Sequence, residues 1–294
     1  MKLLHWINTE KLIMQSLCLN ENAVLYLTEN LKKIDYELLS VNSNASHILQ
    51  KNIEKVNWSL LSRNPNAMSI LMAHPHKIDW REFSSNYNAV KYLKANQNKI
   101  IWSFLCLNTN PEAIKLLAEN PDKIDWVNLS SNSNAIYLLE ANLDKVNWLK
   151  FSKNPNAIHI LEKNLDKINW LRLSCNPNAM HLIEANLDKI CWNLLSENPN
   201  AIHILENNLD KIDWFRLSCN PNALKILMKH QIKICWYSLS KNPAIFVNDY
   251  DYDQLKNSNL KFKEEIIAMA LNPFRINNLM LKYGRDVVYN IYFT

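Results

Sequence analysis

Lysine and tryptophan recur on a shared 22-residue spacing, and both residue types suit binding chemistry. Trp58, Trp80 and Trp102 are 22 residues apart, as are the six tryptophans from Trp126 to Trp236, and one step of 24 separates the two groups. A lysine stands three residues before each of these tryptophans. A row of cations can follow a phosphate backbone, and a row of aromatic rings can stack bases. The spacing is therefore compatible with a nucleic-acid-binding surface.

The charges around these lysines favour another interpretation. An acidic residue directly precedes the lysine in six of ten units, and four units carry Asp two residues after it. Acidic side chains interleaved with the lysines weaken the attraction of such a row for a phosphate backbone. We interpret the lysines as a solvated, self-compensating edge, and an anion-binding ladder remains the alternative. The ladder would consist of Lys123, Lys145, Lys167, Lys189 and Lys211.

Histidines repeat in three successive units, which raises the question of a metal site. His159, His181 and His203 are each followed by Glu three residues later. Zinc ligands lie about 2 Å from the ion, whereas equivalent residues on stacked helices lie roughly 8–10 Å apart. We predict His–Glu pairs on one exposed helix face, and no metal and no cofactor. Because the residue type at this position varies along the chain, we predict a partner-binding surface there, made of Lys91, Lys115, Tyr137, His159, His181, His203 and Lys225.

Motifs of catalysis are scarce in this chain. There is one glycine in 294 residues, and no GxGxxG, P-loop, GxSxG or HExxH motif. A phosphate-cradling loop needs several glycines, which argues against phosphate-loop enzymes. A Cys–His or carboxylate-pair site assembled by folding remains an alternative, but solenoid faces seldom form the deep pocket that it needs. We therefore predict no catalytic residues and no small-molecule substrate. The acidic–aromatic run at 249–253 suits a cation or a basic partner, but we predict a turn.

Composition sets further limits. Apolar residues make up 48% of the chain, which is enough for a packed core. The net charge of +5 is only mildly basic, whereas nucleic-acid-binding domains often have a pI above about 9. No apolar run is long enough for a membrane span, and the first residues do not resemble a signal peptide. Six cysteines without a CxxC pair predict free thiols in a reducing, intracellular compartment.

The elements that position these residues follow from the repeat. We number the unit from Phe151 as position 1, which places Trp at position 20, and it reads L-S-x-N-P-N-A-I-x-I-L-E-x-N-L-D-K-I-D-W-x-x. Asn-Pro at positions 4 and 5 predicts a capped helix start, such as Pro155 to Asn164. Alanine at position 7 predicts close approach between units. Asparagine at position 14 predicts a helix end in the left-handed conformation.

The rest of the unit predicts a short second helix, partly 3₁₀, with a strand as the alternative because I-x-W alternates. Two extra residues within 103–110 should bulge a loop without breaking the stack. We predict an all-α, right-handed α-solenoid of about ten 22-residue repeats (20–245), with an N-terminal cap (1–19) and a helical C-terminal cap (246–294). At roughly 8–10 Å per layer, it would extend on the order of 90 Å. Its layers would be locked by Trp58, Trp80, Trp102, Trp126, Trp148, Trp170, Trp192, Trp214 and Trp236.

The repeat sequence N-P-N-A-I…L-D-K-I-D-W, which covers residues 20–245, resembles that of the uncharacterised repeat proteins of mimivirus-like giant DNA viruses. The layout is also similar to leucine-rich repeat variant and HEAT-like α-solenoids. The segment from Asn272 to Ile276 resembles the C-terminal part of the viral proteins. The resemblance implies a virus-encoded, intracellular protein of the host cytoplasm or viral factory, and it assigns no reaction. We expect a scaffold that binds viral or host proteins, with RNA or single-stranded nucleic acid as the alternative partner and no membrane contact.

Overall fold

The computed structural model describes residues 1–248, 268–269 and 271–283, and these residues are mostly helical. The chain divides into two compact units, Met1–Val247 and Asn248–Thr294. Within the described residues, strands occur only at Lys2–Leu3 and Phe246–Val247, which pair antiparallel. The all-α prediction is therefore confirmed, and the strand alternative for the I-x-W segment is wrong.

One helix of each unit begins at position 20, and we call it the Trp helix. It contains one turn or slightly more, because the Asn or Asp that often precedes it caps the start and the asparagine of position 4 follows its end, as at Trp58–Arg63. The short second helix is thus confirmed. The Trp helices are Met14–Cys18, Tyr36–Leu39, Trp58–Arg63, Trp80–Ser85, Trp102–Leu105, Trp126–Leu129, Trp148–Phe151, Trp170–Leu173, Trp192–Leu195, Trp214–Cys219 and Trp236–Lys241.

The other helix follows the alanine of position 7, and we call it the Ala helix. It is shorter than the predicted Pro155 to Asn164 span, because the Asn-Pro-Asn-Ala segment usually forms a separate turn before it. The Ala helices are Val24–Thr28, Ser46–Gln50, Met68–Ala73, Val90–Ala95, Pro111–Ala118, Ile136–Glu140, Ile158–Leu161, Met180–Glu184, Ile202–Glu206 and Leu224–Lys229.

Within residues 1–248, short 3₁₀ turns connect the helices at two places in five of the ten units, at one place in three units and at neither place in two. One type contains the Asn-Ala residues before the Ala helix, and the other contains the lysine of position 17. The 3₁₀ turns are Thr9–Lys11, Glu21–Ala23, Leu31–Lys33, Ser43–Ala45, Ile53–Lys55, Pro65–Ala67, Pro75–Lys77, Tyr87–Ala89, Gln97–Lys99, Pro121–Lys123, Ser133–Ala135, Leu165–Lys167, Pro221–Ala223, Gln231–Lys233 and Pro243–Ile245.

The asparagine of position 4 joins each unit to the one before it. The side-chain amide of Asn154 donates to the carbonyls of Ser130 and Asn132, and its oxygen accepts from the N–H of Asn156. All three hydrogen-bonding groups of a buried side chain are thereby satisfied, as burial requires. The same bonds recur, in the part of the chain that the structure describes, at Asn20, Asn42, Asn64, Asn86, Asn108, Asn132, Asn154, Asn176, Asn198, Asn220 and Asn242.

This asparagine ladder closes on itself. Asn20 donates to the carbonyls of Ser240 and Asn242, just as later asparagines donate to the preceding unit. The N–H of Ile13 donates to the Ser240 hydroxyl, and the two-residue strands pair beside this contact. We expected an elongated array with a cap at each end. The hydrogen bonds between the first and last units show that residues 1–247 instead form a closed circuit.

Serine at position 2 forms a second bridge, which joins successive Trp helices. The hydroxyl of Ser62 donates to the Trp58 carbonyl in its own Trp helix and accepts from the N–H of Asp79, the residue that caps the next Trp helix. The side chain is buried, so both bonds form away from water. Cys18 and Cys106 replace this serine in two units, and all six cysteines of the chain are free, as predicted.

The asparagine of position 14 does not adopt the left-handed conformation that we predicted. Asn52 has φ −132°, and Asn164 has φ −136°. Each side-chain amide instead donates to the carbonyl four residues earlier, as from Asn52 to Ile48 and from Asn164 to Ile160. The side chain therefore caps a helix carbonyl directly, and no positive φ is needed.

The two-residue insertion lengthens a helix rather than bulging a loop. Asn108 and Asn110 keep their usual bonds to the preceding unit, so the extra residues lie after them. Pro111 and Glu112 form the first turn of an Ala helix that extends to Ala118. The stack is unbroken, because Asn132 still donates to the carbonyls of Cys106 and Asn108.

The core runs through residues 1–247 as one continuous cluster. The alanines of position 7 have no exposed surface, which agrees with the predicted close approach. The tryptophans are partly buried and pack against the core. In the second compact unit, Asn248–Thr294, Asn272-Pro273 opens the helix Pro273–Tyr283, which lies within the predicted helical C-terminal cap. The run at 249–253 and most of the predicted helical C-terminal cap, including most of the segment from Phe262 to Ala270 and Gly284, lie outside the described residues.

Candidate partner-binding surface

The proposed partner surface lies at position 9, on the second residue of most Ala helices. Positions 7, 10 and 11 of the unit face the core, so the helical repeat turns position 9 toward solvent. Tyr137, for example, is 54% exposed. All seven predicted side chains are exposed, and they form one column across successive units: Lys91, Lys115, Tyr137, His159, His181, His203 and Lys225.

The histidines of this column pair with glutamates, but not within one helix as we predicted. His181 Nε2 lies 2.6 Å from Glu162 Oε1 of the preceding unit, and His203 Nε2 lies 2.8 Å from Glu184 Oε1. The pairs cross units because one Ala helix packs beside the next. Being exposed, each contributes about 0–1 kcal/mol at most, so their main effect is to fix the side-chain positions.

A second ionic cluster lies beside Lys115. Glu112 accepts hydrogen bonds from Lys115 at 2.6 Å and from Lys94 at 2.7 Å. The two ammonium groups hold the pKa of Glu112 at about 2, well below its usual range, and the same carboxylate raises the pKa of Lys115. Lys115 is therefore a paired cation, whereas Lys91 forms no salt bridge to the described residues.

Shallow grooves run between adjacent Ala helices and are bordered by the column. Lys115 and Tyr137 line a groove of about 700 Å³ with Ile114 and Ile136. His203 and Lys225 border a larger one of about 990 Å³. The column thus combines varied polar groups with small apolar recesses, an arrangement suited to holding side chains of a partner.

The predicted anion ladder has an interaction that the sequence analysis missed. Lys167 Nζ lies 4.9 Å from the ring centroid of Trp148 in the preceding unit, and Lys145, Lys123, Lys189 and Lys211 lie over their tryptophans in the same way. A cation over an indole face is stabilised by the ring quadrupole. The sequence does contain a signal for this pairing, because the lysine of position 17 and the tryptophan of position 20 recur together in successive units.

Neither a metal centre nor a membrane span emerges from the described residues. No group of three or more His, Cys, Asp and Glu in that part of the chain is arranged to hold an ion. Among the same residues, no helix has the length and apolarity needed to traverse a bilayer.

Comparisons of the chain with protein-family models, curated proteins and solved structures found no match. The resemblance to giant-virus repeat proteins therefore stays a prediction.

Proposed function

We propose that the protein is a non-enzymatic scaffold that binds other proteins through the position-9 column. The observation that carries the proposal is the contrast between two sets of positions. The asparagine of position 4 repeats without change around the circuit, whereas the exposed position 9 changes between Lys, Tyr and His in successive units. A uniform frame that presents varied side chains is the arrangement expected of a recognition surface.

We further propose that the frame is a right-handed α-solenoid that closes on itself. The regular bonds of Asn42 to the carbonyls of Cys18 and Asn20, repeated at the seam by Asn20, support it. In a closed array each unit has two neighbours, so no unit frays as a free end. A rigid frame lowers the ordering cost of binding.

Binding of RNA or single-stranded nucleic acid through the lysine ladder is the second candidate. The regular row of exposed ammonium groups, one over each ring, favours it. The acidic residues directly before these lysines, such as Asp144 and Asp166, weaken it because they offset the cations.

Affinity purification of the tagged protein from expressing cells tests both candidates. The preparation would be divided between nuclease and mock treatment and between low and high salt, with co-purifying molecules identified by mass spectrometry and sequencing. We expect defined proteins that survive nuclease and salt. The variant Tyr137→Ser/His159→Ser/His181→Ser should lose them, and its frame should be intact because Ser69 occupies the same position.

A matched ladder variant, Lys145→Gln/Lys167→Gln/Lys189→Gln, should retain the protein partners. Nucleic acid that is lost at high salt and in this variant, without a stable protein partner, would replace the scaffold by the second candidate.

A further inference from the structure

A second exposed column is apolar and lies on the Trp helices. Position 21 holds Val127, Leu149, Leu171, Phe215 and Tyr237, whose exposed fractions lie between 45% and 54%, and Asn193 is the single polar member of this stretch. Isolated exposed apolar side chains are ordinary, but a contiguous set marks an interaction surface.

Cations flank this apolar column. Positions 22 and 3 of the same units hold Lys150, Lys153, Arg172, Arg216 and Lys241, against a single acid, Glu197. Glu197 pairs with Arg216 at 2.7 Å, and Asp213 lies 3.8 Å from the same guanidinium group. The other four cations form no salt bridge to the described residues, so this surface carries uncompensated positive charge.

Direct contacts show that the three positions belong to one face. The rings of Phe215 and Tyr237 stack with centroids 6.4 Å apart, and Lys241 Nζ lies 4.0 Å from the Tyr237 centroid. Arg216 of position 22 pairs with Glu197 of position 3, and Lys150 Nζ donates to Asn128 Oδ1 at position 22 of the preceding unit at 2.9 Å. We call positions 21, 22 and 3 from Val127 to Lys241 the apolar–basic face.

The property is confined to one part of the circuit. The earlier units carry Glu37, Ser59, Arg81 and Ser103 at position 21. Since the frame accepts serine at this position, packing does not require an apolar side chain there. The apolar residues of later units therefore need another explanation than stability of the fold.

We infer that the apolar–basic face docks an acidic amphipathic segment of a partner protein. The inference rests on the proposed scaffold function and deepens it by naming the chemistry of one partner. Apolar side chains of the segment would cover the position-21 column, while its carboxylates meet Lys150, Lys153, Arg172 and Lys241. Charge complementarity and the unfilled apolar column together select this occupant over a neutral or basic one.

A nucleic acid fits this face less well. Val127, Leu149 and Leu171 present aliphatic groups, which do not stack bases, and the aromatic pair Phe215–Tyr237 is confined to one end. An amphipathic helix, by contrast, buries aliphatic side chains along one stripe and holds its charges beside them.

The test uses the full-length protein and a fluorescein-labelled Leu/Glu peptide of about 18 residues with a helical apolar stripe. Three probes serve as controls: the same composition in scrambled order, the peptide with Lys in place of Glu, and an oligouridylate. Fluorescence anisotropy measures binding. We expect the acidic amphipathic peptide to bind at least about tenfold more tightly than the scrambled peptide, and the basic peptide to show no binding.

Two variants take their substitutions from other units of the same chain. Leu149→Ser/Leu171→Ser copies Ser59 and Ser103, and Lys153→Ser/Arg172→Asn copies Ser131 and Asn128. Each should weaken peptide binding about tenfold or more, whereas the position-9 variant of the proposed function should bind the peptide unchanged. Thermal unfolding of every variant checks that the fold is kept.

Equal binding of the acidic and scrambled peptides, or no loss in either face variant, would overturn the inference. So would oligouridylate binding that depends on Lys153 and Arg172 but not on Leu149 and Leu171. Neither result touches the scaffold proposal, which is tested separately by the purification from cells and by the dependence of the purified proteins on position 9.

Discussion

The side-chain amide of Asn20 donates a 2.9 Å hydrogen bond to the carbonyl of Asn242, although 222 positions separate the two residues. The same amide donates to Ser240 at 3.1 Å. Asn154 makes the equivalent pair of bonds to residues 22 and 24 positions before it. The seam therefore uses the same chemistry as an internal junction, and the position-4 ladder has no free end within residues 1–248.

Replacing a ladder asparagine should destabilise the protein equally at the seam and inside the circuit. Asn20→Ala and Asn154→Ala each leave two carbonyls and one N–H without the side-chain partner that they have now. At about 1–3 kcal/mol for an unsatisfied buried group, partly relieved by water, we expect each to lower the free energy of unfolding by about 2–5 kcal/mol. Urea denaturation followed by tryptophan fluorescence measures the loss.

The matched control is Asn22→Ala, because Ala244 already stands at the equivalent position of the last unit. The Asn22 amide makes one exposed bond to Pro243, so its loss should be small. If Asn20→Ala resembled the wild type while Asn154→Ala lost stability, the seam would not form in solution.

Cys106 should make stability fall at alkaline pH. Burial raises the pKa of its thiol from 9.0 to about 11, and the Asp125 N–H donates to the sulfur. The unfolded thiol loses its proton first, so stability is full below pH 9 and is lost as pH rises from about 9 to 11. This contribution is on the order of 2 kcal/mol. The difference between wild type and Cys106→Ser, measured by urea denaturation from pH 8 to 11, isolates it.

Most units have serine at position 2, where Cys106 stands, so Cys106→Ser should fold normally. The serine hydroxyl should accept the hydrogen bond from the Asp125 N–H. Cys106→Ala should instead be less stable at every pH, because the N–H loses its acceptor. A parallel pH dependence in wild type and Cys106→Ser would contradict the assignment to this thiol.

The Glu112 carboxyl should titrate near pH 2 because Lys94 and Lys115 both donate to it. Because the pKa of Glu112 is lowered in the folded state, its interaction with the two lysines stabilises the fold above pH 4.5. This stabilisation is lost as pH falls toward 2. Carbon-detected NMR of the side-chain carboxyl follows the titration. Lys94→Met/Lys115→Met should return the pKa toward 4.5, and added salt should move it in the same direction.

The repeat pattern was sufficient to predict the helical class, the free thiols and the exposure of position 9, because each depends on residues within one unit. Asn154 could be recognised as a helix cap from its place before Pro155. Its other role, donating to the preceding unit, depends on where that unit lies in space. A sequence pattern with a fixed period carries no information about the rotation between units.

Closure could not be predicted for the same physical reason. Whether Asn20 reaches Asn242 depends on a small rotation accumulated over every junction, to which no single residue points. The cross-unit partners of the candidate surface were missed likewise: Glu162 was assigned to His159 in its own helix, but it contacts His181 of the next unit. Lys11 stands 22 residues before Lys33, and its Nζ lies 5.5 Å from the ring centroid of Trp236, so the pairing of lysine with an aromatic ring also continues across the seam.

Deleting one unit should open the circuit while leaving the remaining junctions intact. Removal of residues 173–194 joins Arg172 to Leu195, which preserves the 22-residue register on both sides. An open array would refold one layer shorter with no other change. In a closed circuit the rotations at all junctions add up to a full turn. With one junction fewer, each remaining junction would have to rotate further, and close packing resists this extra rotation. We therefore expect native helix content per residue by circular dichroism, together with loss of the seam.

Hydrogen exchange measures the seam directly. The N–H of Ile13 donates to Ser240 across the seam, and the N–H of Asn57 donates to Ser40 at an internal junction. In the deletion variant the Ile13 amide should exchange much faster than in wild type, whereas the Asn57 amide should stay protected. Equal protection of both amides would mean that the circuit still closes with one unit fewer. Closure would then not determine the number of units. Complete loss of cooperative unfolding would instead contradict the independence of the units.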